Sequence, residues 1–301
     1  MKKFLIVTDS CSDLDKELRN EYNIEYIPMH YSCDGVEYDA DLDWQNMSVS
    51  EFYNAMRNGK RFITAQVNVA EYKEAFTKYI NDGYDVLSIS CSSALSASVK
   101  ASVVAKEELK ETYPDSKIIC IDSLMSCAGL GIMCIIASKM RAEGKSIEEV
   151  AEWIENNKLN INQEATVDKL EYLKRAGRVS AASAFFGGLL SVKPIIISDV
   201  NGQNVSFEKV KGRKNSITRI AERVKEEYVS GVFDELFVYN ADCNDDALAM
   251  KKELVEKLGI DESKIRIGSV GPILGASCGP GMMGVYFYGK KVTYDSQVAK
   301  K

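Results

Sequence analysis

The chain of 301 residues carries 38 Lys and Arg against 44 Asp and Glu, a net charge of −6, with 46% hydrophobic and 27% charged residues. That balance is the one of a soluble globular protein with length for about two domains, and the acidic excess argues against nucleic acid held through its phosphates. The opening MKKFLIVTDSCSDLD has an apolar run that meets Asp9 too early for a signal peptide, and no stretch reaches the roughly 20 apolar residues of a membrane span, Leu124–Met140 coming nearest.

Strands and helices then alternate along the chain, the signature of an α/β architecture. Phe4–Thr8 reads as a strand, followed by a turn with Asp9, Ser10 and Ser12 and a helix over Asp13–Tyr22. Glu25–Tyr31 reads as one strand running into a turn at Asp34-Gly35. Ser50–Arg57 and Ala70–Asn81 read as helices, with Thr64–Asn68 a loop between them and Asn68 the N-cap. Val86–Ser90 is a strand, a helix runs on to Lys110, and strand Lys117–Ile121 leads into helix Ala128–Ala142. Ser146–Asn156 is a helix opened by the capping pattern Ser146-Ile-Glu-Glu149. The pattern changes near Leu159.

The second half starts with a strand near Ala165–Val167, then a helix pair broken at Gly177 within LEYLKRAGRVSAASAFFGGLL. Pro194–Ser198 and Val205–Val210 read as strands joined by Asn201-Gly202, a strong hairpin signal. A helix over Ser216–Tyr228, strand Glu235–Tyr239, helix Asp245–Leu258, strand Lys264–Ser269 and strand Val285–Tyr288 complete the chain. Gly275–Gly281 reads as a loop of small residues that lets backbone approach a ligand.

The chemistry concentrates where strand Val86–Ser90 empties into serines. Ser90, Ser92, Ser93, Ser96 and Ser98 stand at the mouth of a helix whose first N–H groups lack helical partners. Those amides, the helix dipole and the hydroxyls suit a carboxylate or phosphate, while Ser92 or Ser93 is equally a plain helix cap. Thr8-Asp9-Ser10 and Thr64–Asn68 end nearby strands, the usual place for a ligand in an open α/β sheet, and Thr64 is free to present its hydroxyl. Leu124–Met140 and Ala181–Leu190 mix large apolar with small residues, a composition that fits room for a ligand's apolar body or simple tight packing. The eight cysteines show no C-x-x-C spacing and read as reduced core residues of a cytoplasmic protein; His30, the single histidine, has no partner pattern around it. No P-loop, G-x-G-x-x-G or G-x-S-x-G pattern is present, so the chain reads as a binder with no catalytic residues and no metal.

The segments VTDSCSDL, FITAQVN, ISCSSALSAS, LEYLKRAGRVSA, LLSVKPII and GASCGPG, in this order, make the chain resemble the DegV family over nearly its whole length. These are bacterial fatty-acid-binding proteins, the lipid-carrying subunits of fatty acid kinase. The resemblance implies two α/β domains, 1–158 with a mostly parallel sheet flanked by helices and 159–301 with a mixed sheet and helices. It implies a long-chain fatty acid as ligand, no cofactor, and an ATP-dependent fatty acid kinase catalytic subunit as partner that makes the acyl-phosphate for phospholipid synthesis. The family's carboxylate-binding threonine and serine fall on Thr64 and Ser96, with Ser93, Ala97, Ser98, Ser277, Gly279 and Arg178 in supporting places. Lys174, Arg175, Lys211 and Arg213 match positions that the family leaves basic, facing the head group or a kinase. Three motifs depart from the family: TAQVN stands for TSQPS, Ser96-Ala97-Ser98 for SGT, and Ser277-Cys278 for His-Thr. The lost histidine leaves open a lipid-sensing binder without a kinase. The fold's likeness to dihydroxyacetone kinase subunits raises an enzyme on a small phosphorylated metabolite, against which the unsupported His30 stands.

Overall fold

The computed structural model describes residues 3–180 and 191–298. Strand β1 (Phe4–Asp9) is buried along its whole length, which is why FLIVTD reads as a continuous apolar run, as strands of covered parallel sheets do. A short turn of helix over Ser10–Ser12 leads to α1 (Lys16–Tyr22), which Asp15 caps by accepting the Leu18 amide. Next come β2 (Ile24–Ile27), β3 (His30–Cys33), β4 (Val36–Asp39), α2 (Val49–Arg57), β5 (Phe62–Ala65), α3 (Val69–Asn81), β6 (Asp85–Ser90), α4 (Ser98–Leu109), β7 (Ile118–Asp122), α5 (Cys127–Ala142) and α6 (Ile147–Asn157). Strands β2-β1-β6-β7 form an all-parallel sheet in that order, and β4-β3-β5 a separate antiparallel one.

The remaining elements are β8 (Ile161–Thr166), α7 (Leu170–Ala176), β9 (Val179–Ser180), β10 (Val192–Ser198), β11 (Asn204–Lys211), α8 (Arg213–Glu227), β12 (Leu236–Asn240), α9 (Asn244–Leu258), β13 (Ile265–Ser269), α10 (Pro272–Cys278) and β14 (Met283–Tyr288). They build a seven-stranded mixed sheet in the order β13-β12-β14-β8-β10-β11-β9. A parallel sheet flanked by helices and a second, mixed sheet are the architecture expected from the alternating pattern.

Several sequence readings change. The single strand over Glu25–Tyr31 is two strands in two different sheets, β2 beside β1 and β3 beside β4 and β5, parted at Pro28, which has no N–H to give a ladder. Thr64 belongs to strand β5, paired with Tyr31, and not to a loop. The helix expected to start at Ser92 or Ser93 begins only at Ser98, behind Ala97, which makes no side-chain cap. Pro272–Cys278 is helical where the small residues read as loop. Where the second helix of the pair was expected to begin after Gly177, the chain forms strand β9 beside β11, and the remainder of that helix, with the apolar stretch Ala181–Leu190, lies outside the described residues.

The core centres on α5. Its first 12 residues, Cys127–Ser138, are all buried between the parallel sheet and strands β8 and β14. Each large side chain such as Leu130, Ile132 or Ile135 contributes about 1.5–3 kcal/mol of burial. The small residues of this helix serve close approach: a Cβ on Gly131 would stand 2.7 Å from Leu14 and 3.1 Å from the Ser12 carbonyl. One apolar cluster runs from Phe4 through α5 to Tyr288, and a second lies beneath α8 and α9 around Ile220, Met250 and Phe287.

The Asn201-Gly202 hairpin joins β10 to β11 as expected and docks on the serine loop, where Ser92 Oγ donates to the Gly202 carbonyl at 2.8 Å. Gly202 has φ of 72°, and a Cβ there would fall on Ser92 Oγ and 2.8 Å from Leu124 Cα. Gly202→Ala therefore combines a disfavoured backbone with a steric clash, and a loss of at least about 1–3 kcal/mol is expected in urea unfolding. An unchanged midpoint would contradict this packing.

Candidate functional site

The site is built on the carboxyl ends of β1 and β6, which run side by side up to Thr8 and Ile89. Just beyond, the wholly buried Asp9 accepts the Cys11 amide on Oδ1 at 3.0 Å and the Cys91 amide on Oδ2 at 2.8 Å. Burial pushes this carboxyl up to about 6, against the two amide bonds that favour its charged form. The chain after β6 is then free to loop outward through the serines instead of entering a helix directly.

Each serine has a distinct duty. Ser90 Oγ meets the Tyr72 hydroxyl at 3.1 Å, and Ser92 holds the hairpin. Ser98 Oγ is buried and accepts the Val67 amide at 3.3 Å, while Ser96 Oγ accepts the Ser98 amide at 3.2 Å and lies 3.0 Å from Ser98 Oγ. When Ser98 donates to Ser96, the Ser96 proton has no acceptor among the described residues and is available to a ligand. Ala101 is the first amide of α4 with a carbonyl four residues back, on Ala97, so the amides just before it lie at the positive end of the helix.

These residues open onto a cavity of about 290 Å³, close to the lower end of the roughly 300–1,000 Å³ found for small-molecule sites. Thr64, Ser96, Ala97, Ser277 and Arg178 line it together with Ala65, Gln66, Leu95, Ser126 and Asn204. Its apolar wall comes from Met29, Leu173, Ile273 and Leu274, and three thiols, Cys11, Cys91 and Cys278, complete it. The half-buried Thr64 hydroxyl has no hydrogen-bond partner among the described residues. Arg178 donates to the carbonyls of Leu95 and Ala176 at 3.2 and 2.7 Å and meets no carboxylate among them, which leaves its charge available to an anion. A smaller void of about 10 Å³ continues inward, sharing Leu173, Asn204, Leu274 and Cys278 with the main cavity. It reaches Ala165 and Ile196, the single register pair joining β8 to β10.

Three expected residues stand outside this wall. Ser93 is exposed and gives its amide to Asp122 at 3.1 Å, because the loop turns away before α4 begins. Ser98 sits behind Ser96 and positions it. Gly279, with φ of 78°, lets the chain pass the Tyr172 ring, onto which a Cβ would fall. Ser277 lines the cavity with its hydroxyl 3.4 Å from the Ile273 carbonyl of its own helix. Among the basic residues, Arg175 stacks on Tyr172 at 5.0 Å and Arg213 pairs with Asp246 at 2.9 Å. His30 does have acidic neighbours, Asp39 at 3.0 Å and Glu71 at 2.8 Å, brought from β4 and α3. Met29, Leu95, Leu173 and Ile273 escaped the sequence reading because they look like any other apolar residue. The Asn-Gly hairpin signal was the one available pointer to Asn204. All eight cysteines are free, and the described residues contain no group of three or more metal-ligating side chains and no helix long and apolar enough to cross a membrane.

Fold and cavity together define an α/β protein of three sheets with a ligand-sized chamber lined in part by hydroxyls. The chain belongs to the DegV family: the family profile, described as an uncharacterised protein of the DegV family, matches residues 3–290. A DegV domain-containing protein of Clostridium perfringens is 36% identical over 96% of this chain and 98% of its own. Among solved structures, DegV of Bacillus subtilis, described as a fatty acid binding protein, is 26% identical with a TM-score of 0.78, over 95% of this chain and 99% of that one. A DegV family protein of Thermus thermophilus, described for its fatty acid binding, has a TM-score of 0.83 at 24% identity, over 96% and 100% of the two chains.

A second buried carboxyl lies behind the chamber. Asp13 faces the Cys127 thiol and the Gly271 amide without full hydrogen-bond geometry to either, and burial, with Asp9 adding a little, raises it from 3.8 to about 7. The folded state therefore holds a proton here that the unfolded chain releases near pH 4. The resulting stability is fully present below that pH and is lost as pH rises through about 7. Asp13→Asn should flatten the fall of the melting temperature between about pH 4 and pH 7. An equally steep fall in the variant would contradict the assignment.

Proposed function

We propose that this protein binds a long-chain fatty acid, with the carboxylate at Thr64, Ser96 and Arg178 and the acyl chain directed inward past Leu173 and Leu274. The observation that carries this reading is the coincidence, in one cavity, of two unengaged hydroxyl protons and a carboxylate-free guanidinium at one end with an apolar wall at the other. A carboxylate accepts such bonds, and charge-assisted ones are the stronger. The tail gains about 0.8 kcal/mol per methylene buried, so chain length sets much of the affinity. The smaller void towards Ala165 and Ile196 supports a tail path that widens when occupied. Membership of a family whose Bacillus subtilis and Thermus thermophilus members are described as fatty acid binding supports the same ligand.

In this reading the protein is the non-catalytic, lipid-carrying partner of a separate ATP-dependent fatty acid kinase catalytic subunit, and acts in the cytoplasm. Taken as the two domains, 1–158 and 159–301 would both contribute to the chamber wall. The head group, held beside exposed Ala97 and the mouth residue Arg178, remains within reach of a phosphoryl donor. Lys174 and Lys211 would meet that subunit.

Native mass spectrometry of the delipidated protein with oleate should show one fatty acid bound. Thr64→Val and Ser96→Ala should each weaken it by about tenfold, the measure of one hydrogen bond, and Arg178→Gln by about ten- to a hundredfold, the range for a charged one. Acyl-phosphate should form from oleate, ATP and Mg²⁺ only when this protein accompanies the kinase subunit. Failure to take up any fatty acid would sink the reading.

A further inference from the structure

We propose that Cys11 and Cys91 form an oxidisable thiol pair in the chamber wall, closing to a disulfide when the chamber is empty and shielded when an acyl chain fills it. The shielding rests on the fatty acid reading; the pair itself does not.

Three observations place these two sulfurs together. The residues follow neighbouring parallel strands, β1 and β6. Their backbone amides are fixed on the two oxygens of one carboxylate, Asp9. The Cys11 thiol is the nearest influence on the Cys91 thiol, without full hydrogen-bond geometry between them, and both line the chamber while being only 3% and 2% exposed. A disulfide requires Cα atoms about 4.4–6.8 Å apart with the side chains facing, the arrangement that two amides clamped on a single carboxylate favour. The other thiol in the wall, Cys278, comes from α10 and shares no such clamp.

With hydrogen peroxide as oxidant the step balances. One thiol, as thiolate, attacks a peroxide oxygen, the O–O bond breaks and hydroxide leaves as water. The resulting sulfenic acid is attacked by the second thiol, the S–S bond forms and a second water departs. The cysteines lose two electrons and two protons, and peroxide gains them. The neighbouring Cys11 thiol, burial and the Asp9 charge hold the Cys91 thiol well above its ordinary value, so thiolate is scarce at neutral pH and closure is slow.

The test uses the full-length protein, delipidated and treated with hydrogen peroxide, then read by intact mass and non-reducing peptide mapping. A loss of two hydrogens located in a Cys11–Cys91 linked peptide, reversed by dithiothreitol and faster at higher pH, is expected. Cys278→Ser should retain the linkage and Cys91→Ser should abolish it. Oleate at ten times its dissociation constant should slow closure about tenfold. Over-oxidation without linkage, a bridge to another cysteine, or an unchanged rate with oleate seen bound would each overturn the proposal. Absence of bound oleate would defeat the fatty acid reading and the shielding with it, whereas linkage without added lipid tests the pair alone.

Discussion

The chamber depends on one buried carboxylate. Asp9 ends an inner strand of the parallel sheet and takes an amide from the start of each of two diverging loops, those of Cys11 and Cys91. A desolvated acid is costly unless its charge is met by donors, and here backbone amides meet it, leaving no side-chain cation in the chamber floor. Because both loops are anchored at their roots, they can splay apart above Asp9. The space they enclose is the ligand chamber. The same carboxylate thus fixes Cys11 and Cys91 in the wall and sets where the serine loop begins its outward path.

Much of this was legible where the chemistry is local. Asn68 caps α3 and Ser146 caps α6, each in a reciprocal box with a glutamate three residues on, because such boxes involve only neighbours in sequence. The Asn201-Gly202 turn was readable for the same reason. The fate of Glu25–Tyr31 was not, since nothing in that segment tells which sheet will pair with each half once Pro28 interrupts it. Helix α10 was also hidden: Gly275, Ser277 and Cys278 favour helix poorly, and packing against α7 and β5 overrides that preference. At the site, hydroxyl density drew attention to the right loop yet not to the right members of it. Ser93 and Ser96 look alike in sequence, and only the turn that hands the Ser93 amide to Asp122 separates them. The apolar wall comes from four distant segments and has no pattern of its own.

Ala97, at the cap position of α4, offers no side-chain hydrogen bond, and the helix opens on the Ser96–Ser98 hydroxyl pair. Ser277 and Cys278 stand at the end of α10, so that corner of the wall carries a hydroxyl and a thiol. Arg178 then stands as the cation of the mouth, oriented by two carbonyls.

The Asn201-Gly202 turn has the composition of a solvent loop, the kind of place where a tag or an inserted domain is ordinarily accepted. Its carbonyl instead rivets the larger sheet to the serine loop of the smaller one. Lengthening it would break that contact, so any sensor built from this scaffold should carry its reporter elsewhere, such as the exposed Asp34-Gly35 bend.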